Sequence, residues 1–418
     1  MFARIHSKIL AMVLVAAMAG LAAGCSGSKD EGGGGGSSAD LRLKLLTLPL
    51  PVDSYMQILT YDAGTDASWT LTSSADWLLF RKVSASTSGS EDVSGLQTMS
   101  GTGGEAVAVV SLANPQETAR KATITLKAGK GSKVLEVSQQ GVGQDTPSGG
   151  SVLTAGWLEL PETNATDGLD AFTVRFDDKS RSYTFYWDYS NLISHWVAYP
   201  LNNAIIGQSI SRSNAWSYCP LLPANKQQNV SKGYQSGNHG WYARGHQIPS
   251  ADRMGTFSRN AQTFYGVNMT PQNNDFNGAL WASLEGKVRE WAQKTYTDTL
   301  YVVTGCVEKN AKYYVLDASN KKITVPTAYF KAVLLHEKSS SSRFSDYGGY
   351  AAIAFFFDHE EYSAAGKYNA KYSLDMAMSV KALEQKLGYN LFVNLDKKVG
   401  ADMANKIKSR EPASSQGW

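Results

Sequence analysis

The sequence predicts a multi-domain chain, a small all-β sandwich followed by a larger α+β domain. Three observations predict it. The 418 residues exceed what one ordinary compact core takes up. Residues 48–142 carry short runs of alternating apolar and polar residues broken by Gly, Ser, Asn and Pro, the period of half-buried strands. From residue 152 onward, strand-like runs are interleaved with two segments of helical spacing. A hydrophobic content of 43% with 18% charged residues excludes a disordered chain. The net charge of +3 neither demands nor excludes a polyanionic partner, so a nucleic-acid reading has to rest on a local site.

The first element is an export signal over residues 1–24. Arg4, His6 and Lys8 precede an apolar run from Ile9 to Ala19, too short to span a bilayer comfortably. Small residues then lead into Leu21-Ala22-Ala23-Gly24-Cys25, which resembles a bacterial lipobox. The resemblance implies cleavage before Cys25, lipid on its thiol, and a protein held at the cell envelope, at the outer membrane or cell surface. An ordinary secretory signal with an incidental cysteine is the alternative. Ser28-Lys29-Asp30-Glu31 looks like a surface-export signal. Residues 25–47, with five successive glycines from Gly32 to Gly36, read as a flexible tether.

The second element, 48–142, contains Ser68-Trp69-Thr70, Ala75-Asp76-Trp77-Leu78, Arg120-Lys121-Ala122-Thr123-Ile124-Thr125 and Val137-Ser138-Gln139-Gln140-Gly141. These stretches resemble the BACON domain, an immunoglobulin-like module of exported proteins, and the resemblance implies a carbohydrate ligand. Trp69 and Trp77 are either sugar-stacking surfaces or core residues, and tryptophans in such strands are more often core. Gly143 to Ser151 reads as a linker.

The third element, 152–418, has strand-like Thr184–Tyr189, Trp196–Tyr199, Thr299–Val303 and Lys331–Leu335, and helical spacing over Asn277–Trp291 and Ser379–Leu387. Cys219 and Cys306 either pair or remain free thiols, and no Cys-x-x-Cys or paired-His spacing suggests zinc.

The residues richest in chemistry run from Ala243-Arg244-Gly245-His246-Gln247 through Asn268-Met269-Thr270-Pro271-Gln272 to Asn277-Gly278-Ala279-Leu280-Trp281 and Leu284-Glu285. A neutral imidazole accepts a proton from water near neutral pH. The arginine beside it supplies a forked donor set suited to phosphate. Asn277, Trp281 and Glu285 recur every four residues, which keeps an amide oxygen and a carboxylate on neighbouring parts of one helical face. Few protein oxygens and retained water suit Mg²⁺.

This stretch closely resembles the DNA/RNA non-specific endonucleases, the ββα-metal (His-Me finger) family. Its pattern is Asp-Arg-Gly-His, then Asn-Met-(Ser/Thr)-Pro-Gln, then Asn-x-x-x-Trp-x-x-Leu-Glu. The match extends to Val325-Pro326-Thr327-Ala328-Tyr329-Phe330-Lys331 and to Leu383-Glu384-Gln385-Lys386-Leu387-Gly388-Tyr389-Asn390. One position departs: Ala243 stands where the family has aspartate, which puts local positioning or pKa tuning in question rather than the chemistry.

The resemblance implies a metal-dependent endonuclease of DNA and RNA. His246 is then the general base, Asn277 the direct ligand of one Mg²⁺ (Mn²⁺ is the alternative), and Glu285 the holder of the metal's waters. Asn268 orients the histidine or the metal shell, and Arg244 and Arg212 clamp the phosphate. Each has a plainer reading: Asn277 as a helix N-cap, Glu285 as a solvated face residue, Arg212 as a bystander. Trp281 is expected in the core, and Asp252 with Arg253 as a local pair. His195, His239, His336 and His359 are expected to be structural. The competing function is a degenerate surface adhesin that binds carbohydrate or nucleic acid through the sandwich.

Overall fold

The computed structural model describes residues 41–418, apart from 46–47, 51–54, 65–66, 83–94, 104, 106, 113, 115, 142–154, 165, 177–179, 220, 338–341 and 360–370. The signal sequence, Cys25, the glycine run and the 143–151 linker therefore lie outside the described residues.

The N-terminal part is built of β1 (Arg42–Lys44), β2 (Tyr55–Ile58), β3 (Thr60–Asp62), β4 (Ser68–Ser73) and β5 (Leu78–Lys82). It continues with β6 (Thr98–Thr102), β7 (Val107–Ser111), β8 (Arg120–Ala128) and β9 (Gly131–Gln139). One antiparallel sheet runs β2-β7-β5 and another β6-β4-β8-β9. Leu71, Ile124 and Leu126 from the second sheet and Leu78, Phe80 and Val109 from the first share one apolar core. Trp69 and Trp77 belong to that core, Trp69 edge-on to Tyr61 and Trp77 beneath the Arg120 guanidinium. Neither indole is available to stack on a sugar, and the core reading of both holds.

The fold begins earlier than the composition suggests. Strand β1 pairs with β3, and Leu41, Leu43 and Leu45 are buried in the same core. These residues fall within the 25–47 stretch expected to be tether. Their period-two alternation with Arg42 and Lys44 is a strand signal that the preceding glycine run obscures.

The C-terminal part centres on a seven-stranded antiparallel sheet. Its strands are β10 (Asp170–Arg175), β11 (Arg181–Asp188), β12 (Ile193–Leu201), β15 (Thr297–Val307), β18 (Ala328–Glu337), β19 (Tyr350–Asp358) and β20 (Ala377–Met378), hydrogen-bonded in that order. Both faces are covered. On one, Val303, Phe330, Ala332 and Leu334 pack against Val380 and Leu383 of the helix Val380–Leu387 and Ala404 and Ile407 of the helix Ala401–Ser409. On the other, Val302, Tyr329 and Val333 meet Trp281, Leu284, Val288 and Trp291. Burial on both faces explains the near-continuous apolar β18 and β19. Two small antiparallel pairs complete the part: β13 (Tyr242–His246) with β14 (Met269–Asn273), and β16 (Tyr314–Leu316) with β17 (Lys322–Thr324). Among the described residues no helix is long and apolar enough to cross a membrane.

Cys219 and Cys306 are both buried free thiols. Burial pushes the Cys219 thiol up to about 12, which keeps it protonated and inert.

Candidate active site

The strands β13 and β14 lie antiparallel with His246 opposite Met269, Gly245 opposite Thr270 and Arg244 opposite Pro271. Glycine between the arginine and the histidine has a packing reason. A β-carbon on Gly245 would collide with the Gln272 side chain of the facing strand. Immediately after β14 the chain turns into a helical segment. Asn273 caps it, its Oδ1 accepting from the Asp275 and Phe276 amides. The first motif is therefore on β13, the second on the paired strand β14 after a connection over residues 247–268 that includes the short helix Phe257–Ala261, and the third on the helical segment that follows β14 directly.

His246 sits in a small apolar pocket. Its ring lies 5.6 Å from Trp216 and 5.1 Å from Phe264, both close to edge-on. Its Nε2 is buried and makes no hydrogen bond among the described residues. Burial holds the imidazole well below the ordinary histidine range, and the positive charges of Arg212 and Arg244 push it further. A hydrogen bond to the Arg244 main chain opposes them. The result is a neutral ring with one unsatisfied nitrogen, flanked by two cations.

Those cations are fixed by their own contacts. Arg244 lies 3.6 Å over the Trp216 ring and donates to the Val230 carbonyl at 2.6 Å. Arg212 donates to Asn214 Oδ1 and Ser250 Oγ, and stacks 4.8 Å over Phe264. Trp216 and Phe264 thus hold the base and both arginines together. Sequence reasoning missed Trp216, because its neighbourhood carries no period and no charge pattern.

Asn268 is fully buried and its side chain is committed to the backbone. Its Oδ1 accepts from the Ile248 amide, and its Nδ2 donates to the Ile248 and Thr263 carbonyls. Those bonds anchor the chain just after His246. They suit orientation of the histidine and leave no amide proton for a metal's water shell.

Asn277 and Glu285 lie on the helical segment that Asn273 opens. Asn277 is inside the helix with αR backbone, so the capping role belongs to Asn273, four residues earlier. The side chain of Asn277 makes no hydrogen bond among the described residues. Residues Asn277–Trp281 form a π turn before the α-helix Ala282–Ala292. The simple four-residue recurrence along one α-helical face therefore does not apply, because a π turn holds more residues than an α turn. Trp281 is in the core as expected, against Phe276 and Tyr329.

The Glu285 carboxyl likewise accepts no hydrogen bond among the described residues. Burial raises its pKa, and Asp252 adds to the rise, while Lys331, Arg289 and Arg212 pull it down. Arg212 is the link between the two halves of the site, since its charge acts on both His246 and Glu285. Lys331 is the second residue that sequence reasoning missed. It stands mid-strand in β18, fully buried, its Nζ without a hydrogen-bond partner among the described residues and 4.7 Å over the Trp281 ring. A lysine at a core-facing position of an apolar strand was the available signal. Burial lowers its pKa and Glu285 and Asp252 raise it.

Asp252 and Arg253 are structural and joined as expected, through an Arg253 hydrogen bond to the Asp252 carbonyl, but the Asp252 carboxylate takes another arginine. Asp252 pairs with Arg289, Oδ1 to Nη1 at 2.7 Å. Arg253 is fully buried and donates to the carbonyls of Asp252, Ser182 and Pro200. His195 bonds Asp188 and His336 bonds Asp298. His359 ties the site to the sheet: its Nε2 accepts the Asn273 amide at 2.8 Å and its Nδ1 donates to the Pro326 carbonyl at 2.8 Å.

These two bonds require the neutral ring, and burial takes the His359 pKa down to about 4. The unfolded chain, near 6.5, binds the proton first as pH falls. Stability from this residue is therefore present above pH 6.5 and lost between there and about 4, by roughly 3 kcal/mol. Urea melts of His359→Gln at pH 7 and pH 4.5 are expected to show a flatter acid limb than the parent. An unchanged limb would refute the assignment.

No three His, Cys, Asp or Glu side chains converge as a metal cage among the described residues. The donors present fit only a cation that takes few protein oxygens and keeps its water, and the unbonded amide of Asn277 and carboxyl of Glu285 are of that kind.

Comparison with known proteins shows the class: the chain is a nuclease, an enzyme that hydrolyses phosphodiester bonds. It belongs to the DNA/RNA non-specific endonuclease family, whose model matches residues 163–398, and it carries a BACON domain, described as an N-terminal binding domain, over residues 67–140. It is similar to a nuclease of Syncephalastrum racemosum, 28% identical over 235 residues, 51% of this chain and 66% of that protein. A Nostoc sp. nuclease is 28% identical over 54% of this chain and 76% of its own length. A Serratia marcescens nuclease is 24% identical over 54% and 78%. A solved EndoG/EndoGI complex aligns at 18% identity and a TM-score of 0.38, over 58% of this chain and 89% of that one.

Proposed function

We propose that the chain is a Mg²⁺-dependent, sugar-non-specific endonuclease, with β13, β14 and the following helix as a ββα-metal site. The observation that carries this reading is His246 Nε2, a buried nitrogen with no partner on a ring kept neutral between Arg212 and Arg244. Such a nitrogen takes a proton from an attacking water in the presence of a phosphate that the arginines hold. The guanidinium groups offset the charge that grows on the non-bridging oxygens. Asn268 keeps the His246 strand in register by holding Ile248. Asn277 would hold Mg²⁺ directly and Glu285 through water; when bound, the ion supplies positive charge at the leaving 3′ oxygen. The leaving group departs as a 3′ hydroxyl and the phosphate stays on the 5′ side. Nothing in this set reads a base, so DNA and RNA are both substrates.

The N-terminal residues complete the reading. Cleavage before Cys25 and lipidation of its thiol anchor the enzyme at the cell envelope, with the 67–140 domain between anchor and active site. The test is digestion of plasmid DNA and of RNA by the purified chain with Mg²⁺, beside an EDTA control. Cleavage of both that stops with EDTA is the expected result. A folded chain that cuts neither under Mg²⁺ or Mn²⁺ would overturn the proposal.

A further inference from the structure

We infer that the exposed indole of Trp241, with the His239–Tyr242–Tyr313 ring cluster beside it, is a stacking platform for an unpaired base flanking the scissile phosphate. The inference rests on the nuclease reading and deepens it, because it assigns the site a preference for single-stranded or locally unstacked nucleic acid.

The exposure of Trp241 is anomalous. Among the described residues four large apolar side chains are well exposed, and Trp241, at 68%, is the most exposed of them and the one in the C-terminal part. Four other indoles of that part, Trp187, Trp196, Trp281 and Trp291, are among the largest fully buried side chains. Keeping an indole in water forgoes the stabilisation its burial would give, so its placement calls for a ligand with an apolar face.

Its position supplies the ligand's identity. Trp241 immediately precedes β13, the strand that carries Arg244 and His246. At about 3.4 Å per residue the Trp241 Cα lies about 17 Å along the chain from that of His246, a span of a few nucleotides, on the turn that opens the strand rather than on the strand face that carries Arg244 and His246. The turn that presents it is held in shape. Gly240 has φ +51, a conformation that glycine adopts without strain. His239 Nδ1 is 2.8 Å from the Tyr242 hydroxyl, and the His239 ring stacks at 3.9 Å and 15° on Tyr313. Asn238 is fixed at both ends of its amide, to the Lys312 carbonyl and the Tyr314 amide. The indole therefore projects from a braced turn. Nearby, Lys322 lies over the Tyr314 ring, which adds a positive charge beside these aromatic groups. Aromatic faces interleaved with lysines are the composition that holds single strands without reading sequence: every base offers a π face, and the phosphates follow the positive charge.

A base can use this platform only where it is free of its partner. In duplex both faces of each internal base are already stacked, so Trp241 should matter most for single strands. The experiment is equilibrium binding of a fluorescein-labelled oligothymidine and of a duplex of equal length, in EDTA so that cleavage does not intervene. The full chain, Trp241→Ala and Trp241→Phe are compared. Trp241→Ala is expected to weaken single-strand binding about tenfold and duplex binding less than twofold, with Trp241→Phe close to the parent. Equal loss on both substrates overturns the inference, since it would indicate a general surface effect. An unchanged Trp241→Ala beside a parent that binds and cuts overturns the platform alone. A parent that binds neither substrate overturns the nuclease reading together with it.

Discussion

His246→Ala is expected to lower cleavage of both DNA and RNA by about 10²–10⁴-fold while leaving the protein folded. The ring contributes little to stability through hydrogen bonds, because its Nε2 has no partner. Its removal leaves a hole between Trp216 and Phe264, at a cost of about 1–3 kcal/mol, which a thermal melt will read. KM should change less than kcat, since Arg212 and Arg244 remain in place to hold phosphate. Partial rescue by added imidazole would identify the lost function as proton transfer. Retention of more than a tenth of the parent's activity would exclude His246 as the base.

Asn277→Ala carries the second large effect. A direct ligand of a lightly held cation should cost at least the 10- to 100-fold in metal affinity that outer-shell partners cost, seen as a shift of the Mg²⁺ or Mn²⁺ activation curve to higher concentration. Stability separates this from a structural role. Asn273 caps the helix, so Asn277→Ala should leave stability within about 0.5 kcal/mol, whereas Asn273→Ala should lose about 1 kcal/mol. An activation curve that does not move would show that Asn277 is not a ligand.

Much of this was legible in the sequence, and what was not has identifiable causes. Four of the strands and both helices read from periodicity are present as β11, β12, β15, β18 and the segments starting at Asn274 and Val380. Strand β19 was not read, because Tyr350–Asp358 is buried on both faces and has no alternation to distinguish strand from helix. The helix Ala401–Ser409 was likewise not read. The three motifs were visible as motifs, but the pairing of β13 with β14 across residues 247–268 has no signal in their spacing. The residues that hold the arginines and the base together were not visible. Trp216 reaches His246 and Arg244 across a gap of about thirty residues, and Lys331 reaches Trp281 from the opposite element. Spacing along a chain does not report contacts made by folding it.

The π turn at Asn277–Trp281 has a consequence for anyone who evolves this protein toward robustness. A wide turn is a local flaw in an otherwise regular helix, and dropping one residue there, for instance at the open position Gly278, would heal it. Selection for heat resistance alone would reward that repair. The same deletion would rotate Asn277 by about 100° relative to Glu285, moving the two oxygen donors apart. With Asn277 and Glu285 in the proposed roles, hardiness and turnover pull this segment in opposite directions, and a library screened on melting temperature would drift toward sturdy, silent proteins.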